Sequence, residues 1–219
     1  HAIDVRLLLS HFARADELEH DFTQAQTDGV MVVYTELLQR WPELRLSLHN
    51  SAACIGGASL PAGIQQLGRA GIGLYGGNPL ATGRAGDVGL RPVASVFGQV
   101  LQVRNLKAGM PLGYGGTYIA TADERIMIVG VGYADGVPRL LSNQGHVFVQ
   151  GQHCAIRGRV SMDMLHADAS EVDVAVGDWV EVMGANICVD DIAVQAQTIP
   201  YEVLTGLGKR LHRVYLNDS

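Results

Sequence analysis

Residues 4–12, DVRLLLSHF, form a short apolar run closed by polar residues, the pattern of a strand buried within a parallel sheet. The following residues repeat the theme. Asp16 can cap a helix that the apolar spacing carries from Leu18 to Arg40, weakened at Gly29 and closed by Pro42. A second strand is expected over Leu44–His49, then a helix opened by Pro61 across PAGIQQLG (61–68). GIGLY (71–75) reads as a third strand, ended by Gly76, Gly77, Asn78 and Pro79. Strand, helix, strand, helix, strand predicts a parallel sheet with covering helices. An eight-unit barrel takes about 250 residues, so the about three units present here read as a portion of one.

Composition shifts across the Gly, Asn and Pro-rich connection at 76–92. Short β-rich runs take over at 93–103, 126–132, 146–150, 153–157 and 179–183, separated by turn residues at intervals that suit an antiparallel barrel or sandwich. The expected boundary lies near Gly89, dividing an α/β portion (1–88) from a mostly antiparallel β domain (89–219). The fold class is thus α/β plus all-β.

The 219 residues are 47% hydrophobic, enough to fill a core, and carry 16 basic against 22 acidic residues for a net charge of −6. Without a basic run there is no electrostatic footprint for nucleic acid. No uninterrupted apolar stretch reaches the roughly 18 residues of a membrane span, and the first residues do not form a secretion signal. Cys54, Cys154 and Cys188 are odd in number and far apart, which fits reduced thiols in a cytoplasmic protein and no metal cluster. A chain opening at His1, without a methionine, reads as a trimmed piece of a longer one.

Four motifs could carry chemistry. In VGYADGVPR (131–139) a tyrosine follows an apolar strand between two glycines, so Tyr133 can project from a turn. Taken alone this is also a plain structural turn, because a phenol ionising near 10 is a poor base at neutral pH. GRVSMDM (158–164) could offer turn N–H groups to a carboxylate, with Asp163 lining an entrance, or be a turn with a satisfied aspartate. LHNSAA (48–53) ends a strand in small polar residues able to donate to phosphate. RAGIGLYG (69–76) is Gly-rich beside an arginine but lacks the spacing and following helix of a dinucleotide fingerprint. Phosphate sites in eight-fold barrels use the loops after the seventh and eighth strands, which suits Ser51 and Gly71–Ile72 if these strands are the last of a barrel. His11 would lie on the same rim, although a lone histidine is more often structural.

Together and in order, SHFARAD (10–16), HNSAA (49–53), RAGIGLYG (69–76), GYGGTY (113–118), VGYADGVPR (131–139), GRVSMDM (158–164), VGDWVEVMG (176–184) and PYEVLTGLGKRLHRVY (200–215) resemble the alanine racemase family. The likeness spans essentially the whole chain. It implies the C-terminal portion of a TIM-type (β/α)8 barrel that bears pyridoxal 5'-phosphate, followed by the β domain. The implied reaction interconverts L- and D-alanine by two-base proton transfer on the cofactor-bound substrate, supplying D-alanine for peptidoglycan.

By the same resemblance, Tyr133 is the catalytic tyrosine and acts in the other subunit's site, which implies a homodimer. Arg69 bonds the pyridine nitrogen, and because a guanidinium keeps its proton it weakens the cofactor as an electron sink. Ser51, Gly71 and Ile72 hold the phosphate, His11 lies near the ring, and the Met162 backbone N–H receives the substrate carboxylate. The family's cofactor-anchoring lysine matches neither Lys107 nor Lys209, so the anchor is expected outside this chain, on a separate N-terminal fragment or a removed segment. Lys209 stands where several members have a phosphate-binding tyrosine. The piece alone is therefore expected to be inactive. Alternatives are a non-catalytic fragment or dimerisation module, and a racemase of serine or of broader specificity.

Overall fold

In the computed structural model, which describes residues 3–17 and 21–216, the opening apolar run supplies β1 (Leu7–Leu9). Strand β1 pairs in parallel with β2 (Arg45–Ser47), Leu8 opposite Leu46. Helix α1 (Asp21–Leu38) joins them, and the expected start at Leu18 lies outside the described residues. The buried Tyr34 hydroxyl donates to the Leu44 carbonyl at 2.8 Å, tying α1 to the entrance of β2. Phe12, Leu44, Leu46 and Leu48 are almost fully buried and form the local core with Ala52 and Ala53. Each large side chain so buried contributes about 1.5–3 kcal/mol.

The next stretch differs from expectation in three ways. Ser51–Gly56 forms a short helix, α2, where only a strand end was anticipated; the Asn50 side chain caps it by accepting from Ala53 N, and left-handed Gly57 closes it. No helix forms over 61–68, because Gly63 sits at φ +85°, outside the helical region. The chain is extended there, and Gln66 bridges Leu46 in parallel, with Leu46 N donating to Gln65 O and Leu67 N to Leu46 O, both at 2.9 Å. The third strand position is thus at 65–67. GIGLY forms instead a 3-10 turn, Ile72–Tyr75, whose Leu74 and Tyr75 are exposed: with two glycines the segment has too little apolar surface to bury as a strand.

Residues 1–91 form one unit and 92–219 a second. The second contains β3 (Val96–Leu106), β4 (Pro111–Leu112), β5 (Tyr118–Ile119), β6 (Glu124–Val129), β7 (His146–Val149), β8 (Gln152–Ala155), β9 (Leu165–Asp168) and β10 (Trp179–Met183). Helices α3 (Val189–Gln195) and α4 (Pro200–Gly206) follow. Six strands form one antiparallel sheet in the order β8-β7-β10-β3-β6-β9, and β4 pairs with β5 separately. A bridge from Ile156 to Ala167, with Arg157 N donating to His166 O at 2.9 Å, joins the two edges, so the sheet closes on itself. Along β3, Val96, Gly98 and Val100 point inward and Phe97 and Gln99 outward, the alternation of a sheet with one buried face. Val100, Met127, Val129, Val147, Leu165 and Val180 fill the interior. The five β-rich runs correspond to β3, β6, β7, β8 and β10, whereas β9 and the two helices carried no sequence expectation.

The cysteines differ in access. Cys54 is exposed, Cys188 is half-buried with its thiol pushed up by burial, and burial pushes the Cys154 thiol up to about 11. Since the thiolate is the reacting form, titration at pH 8 with an aromatic disulfide should show one fast thiol, Cys54. Cys154 should react only on unfolding; a native protein releasing two equivalents at the same fast rate would contradict this packing.

Candidate active site

Three segments, at the ends of β1, β2 and the Gln66 bridge, converge around Arg69. Its Nη1 donates to the Ser47 carbonyl at 2.8 Å and to Ser47 Oγ at 2.5 Å, and its Nη2 donates to the Ser10 carbonyl at 2.7 Å. Nη2 also lies 3.1 Å from His11 Nδ1. A guanidinium only donates, so Nδ1 faces a donor, and Asn50 Nδ2 lies 3.3 Å from His11 Nε2 on the other side of the ring. The backbone is pinned too, because Arg69 N donates to His49 O at 2.8 Å. Arg69 is therefore held in one pose by two strand ends.

Ser51, at the start of α2, accepts at Oγ from Gly71 N at 2.7 Å and from Gly73 N at 3.4 Å. Among the described residues its own O–H is committed to no acceptor. One hydroxyl donor and a turn of glycine amides thus face the same point. A Cβ at Gly73 would come within 3.3 Å of Ile55 Cδ1, a tight approach, whereas one at Gly71 would meet Ser51 Oγ only at 3.9 Å, an ordinary contact. Ile72 is buried and anchors the turn, its carbonyl accepting from Gly77 N. The donor set suits a phosphate monoester, with a fixed guanidinium close by in the same unit.

The second unit builds a different constellation. After β6 the chain turns at Gly132, and Tyr133–Asp135 form a single 3-10 turn closed by left-handed Gly136. Asp135, nearly buried, accepts from Gly132 N at 2.9 Å, a local cap encoded by the three-residue spacing in Gly-Tyr-Ala-Asp. Tyr133 N donates to Ser161 O and Ala134 N to Met162 O, both at 3.0 Å. The tyrosine turn and the Met162 loop are thereby laced together through main-chain atoms. The Tyr133 side chain is 43% exposed and Met162 51%. Beside them a cavity of about 400 Å³ is lined by Tyr114, Ser161, Met162, Asp163 and His166.

Tyr118 shows what a committed tyrosine looks like. Its hydroxyl donates to both oxygens of Glu124 at 2.6 and 2.7 Å, and Arg157 stacks 4.9 Å above its ring. Burial first, and then the Glu124 bond, push Tyr118 up to about 12, so it holds its proton at any ordinary pH. The Tyr133 hydroxyl has no such partner among the described residues.

The structure gathers His11, Ser51, Arg69, Gly71 and Ile72 in the first unit, and Tyr133 and Met162 in the second. Sequence reasoning missed the supports: Ser47 and the Ser10 carbonyl under Arg69, Asn50 as the α2 cap, and Arg210. Only Asn50 left a signal, standing immediately before small residues that can begin a helix. No group of three or more His, Cys, Asp or Glu able to hold a metal occurs among the described residues. Nor is any helix there long and apolar enough to cross a membrane.

Fold and site define a two-part protein: the C-terminal portion of a TIM-type barrel with hydrogen-bond donors gathered around Ser51 and Arg69, then a mostly antiparallel β domain presenting a tyrosine turn. The descriptions "Alanine racemase, N-terminal domain" and "Alanine racemase, C-terminal domain" match residues 1–79 and 93–215, and the chain belongs to the alanine racemase family. It is 40% identical to an alanine racemase of Stutzerimonas stutzeri over 210 residues, 95% of this chain and 56% of that relative. The crystal structure of the biosynthetic alanine racemase of Pseudomonas aeruginosa superposes with a TM-score of 0.84 at 39% identity, covering 96% of this chain and 57% of that one. The alanine racemase of Bartonella henselae, solved with covalently bound pyridoxal phosphate, gives 0.80 at 33% identity over 97% of this chain and 57% of its own. The chain thus spans little more than half the length of the relatives it matches.

Proposed function

We propose that the protein to which this chain belongs is an alanine racemase dependent on pyridoxal 5'-phosphate. The observation that carries the reading is the lacing of the Tyr133 turn to the Met162 loop, which fixes a phenol beside main-chain groups. Residues 1–88 act as the cofactor-bearing portion of the barrel and 89–219 as the β domain that carries the tyrosine. The cradle fits the cofactor: Ser51, Gly71 and Ile72 would hold its phosphate and Arg69 its ring nitrogen, with His11 alongside. When bound, pyridoxal phosphate withdraws electrons from the α-carbon of an attached amino acid and so acidifies its α-hydrogen.

The remaining chemistry falls to the protein. Arg69, held by Ser47 and Ser10 and permanently protonated, would donate to the ring nitrogen and so would disfavour a proton there. The Tyr133 phenol oxygen takes or returns the α-hydrogen on one face of alanine, as general base and acid. The Met162 backbone N–H holds the substrate carboxylate. The site is shared between the subunits of a cytoplasmic homodimer, one giving the cradle and the other the tyrosine turn. The second base and covalent anchor, a lysine, lies outside this chain and on neither Lys107 nor Lys209.

A complete preparation loaded with cofactor should convert L-alanine to the D form, read by a D-amino-acid oxidase coupled assay. Serine assayed in parallel sets the breadth of specificity. Failure to isomerise any amino acid would sink the proposal. A second reading applies to these 219 residues by themselves, as a non-catalytic module. The small parallel sheet of β1, β2 and the Gln66 bridge favours it, since the outer edge of β1 is left without a strand partner among the described residues.

A further inference from the structure

The segment after α4 meets both halves of the tyrosine constellation. Gly208 N donates to Asp135 O at 3.3 Å, and a Cβ at Gly136 would meet Gly206 O at 2.6 Å, so this segment packs directly on the turn. Arg210 then reaches two carboxylates on separate segments: Nη2 lies 2.6 Å from Asp163 Oδ1, and Nε 3.6 Å from Asp135 Oδ1. Asp163 follows Met162, and Asp135 closes the turn that begins at Gly132.

We propose that Arg210 is a positioning residue that holds the Tyr133 turn and the Met162 loop as one piece by pairing with a carboxylate from each. This rests on the reading of Tyr133 as proton carrier and Met162 as carboxylate contact. An exposed ion pair contributes little, and Arg210 and Asp163 are each 53% exposed. The Asp135 side chain is different, only 11% exposed, with Oδ2 already committed to Gly132 N. Its other oxygen and the Asp163 carboxylate of the Met162 loop both face Arg210, and a cation between two carboxylates offsets their mutual repulsion. A guanidinium can serve both because its donors fan out in a fixed plane.

The test compares Arg210→Met, Arg210→Lys and Asp163→Asn with the parent chain by residue-resolved amide exchange. In the Met variant the Tyr133 and Ala134 amides, which bond to Ser161 O and Met162 O, should exchange about threefold to tenfold faster. Amides in β6 should keep their protection. Lysine should restore part of it, and Asp163→Asn should give a smaller acceleration at the same two amides. In the cofactor-loaded enzyme the Met variant should lower kcat and raise KM together, because base and carboxylate contact loosen jointly; mere loss of folded protein leaves KM unchanged.

Unaltered protection of Tyr133 and Ala134 in a folded Met variant, or equal acceleration across the whole β domain, would overturn the proposal. Should the loaded parent enzyme fail to racemise, the functional reading falls, and the exchange data still decide whether Arg210 holds the two segments together.

Discussion

Tyr133→Phe is expected to cut kcat of the cofactor-loaded enzyme by about 10²–10⁴, the usual contribution of a positioned proton carrier, while leaving KM and melting temperature nearly unchanged. The fold should not notice the change, because the hydroxyl has no hydrogen-bond partner among the described residues and the ring is 43% exposed. The turn is held by its backbone and by Asp135, neither of which the substitution touches. Steady-state racemisation together with solvent-deuterium incorporation into alanine checks it. Wild-type turnover in the Phe variant would remove Tyr133 from the chemistry.

The second large effect is expected at Gly132. A Cβ there would stand 2.3 Å from Ser161 O and 2.4 Å from Met162 O, main-chain atoms that cannot swing aside as a side chain can. The backbone at Gly132 is extended, φ −149°, so the cause is contact and not dihedral strain. Gly132→Ala should lift the turn and break the two bonds from Tyr133 N and Ala134 N. Overpacking of this kind costs about 1–3 kcal/mol, and each lost bond adds about 1 kcal/mol. Both thermal stability and racemisation should fall. Gly29→Ala in α1 is the control: nothing lies within 4 Å of its Cβ, and the helix should gain about 0.5–1 kcal/mol. If Gly132→Ala melted like the parent and kept its activity, the close approach of these segments would be wrong.

These two residues also mark where the sequence was legible. Strand β1 stood out as the apolar run Leu7–Leu9 and β2 through the alternating Leu44, Leu46 and Leu48, and the β domain because its strands alternate between frequent turns. The segment from 50 to 76 misled. Its short capped helix, its bridge at Gln66 and its 3-10 turn are each set by single glycines and by one tertiary pairing to Leu46, and local periodicity records neither. Strand β9 escaped notice because LHAD (165–168) is too short and mixed to read as a strand until β6 lies beside it. The candidate site residues are legible only as residue types in a family's order, and the groups that support them in the structure are not legible at all. Nothing in the sequence places Ser47 beneath Arg69, 22 residues away, or Arg210 against Asp163, 47 residues away. Such pairings exist only once the sheets bring distant loops together.

The closure of the six-stranded sheet by Ile156 and Ala167 bears on how the chain behaves in solution. A ring of strands has no free row of N–H and C=O groups, and so offers no template on which a second copy can pair. Strand β2 is bridged on its far side by Gln66, but no strand among the described residues pairs with the outer edge of β1, and Leu7 and Leu9 are exposed. Edge-to-edge pairing of strands is therefore open at β1 and at the small β4–β5 pair, and closed along the six-stranded sheet.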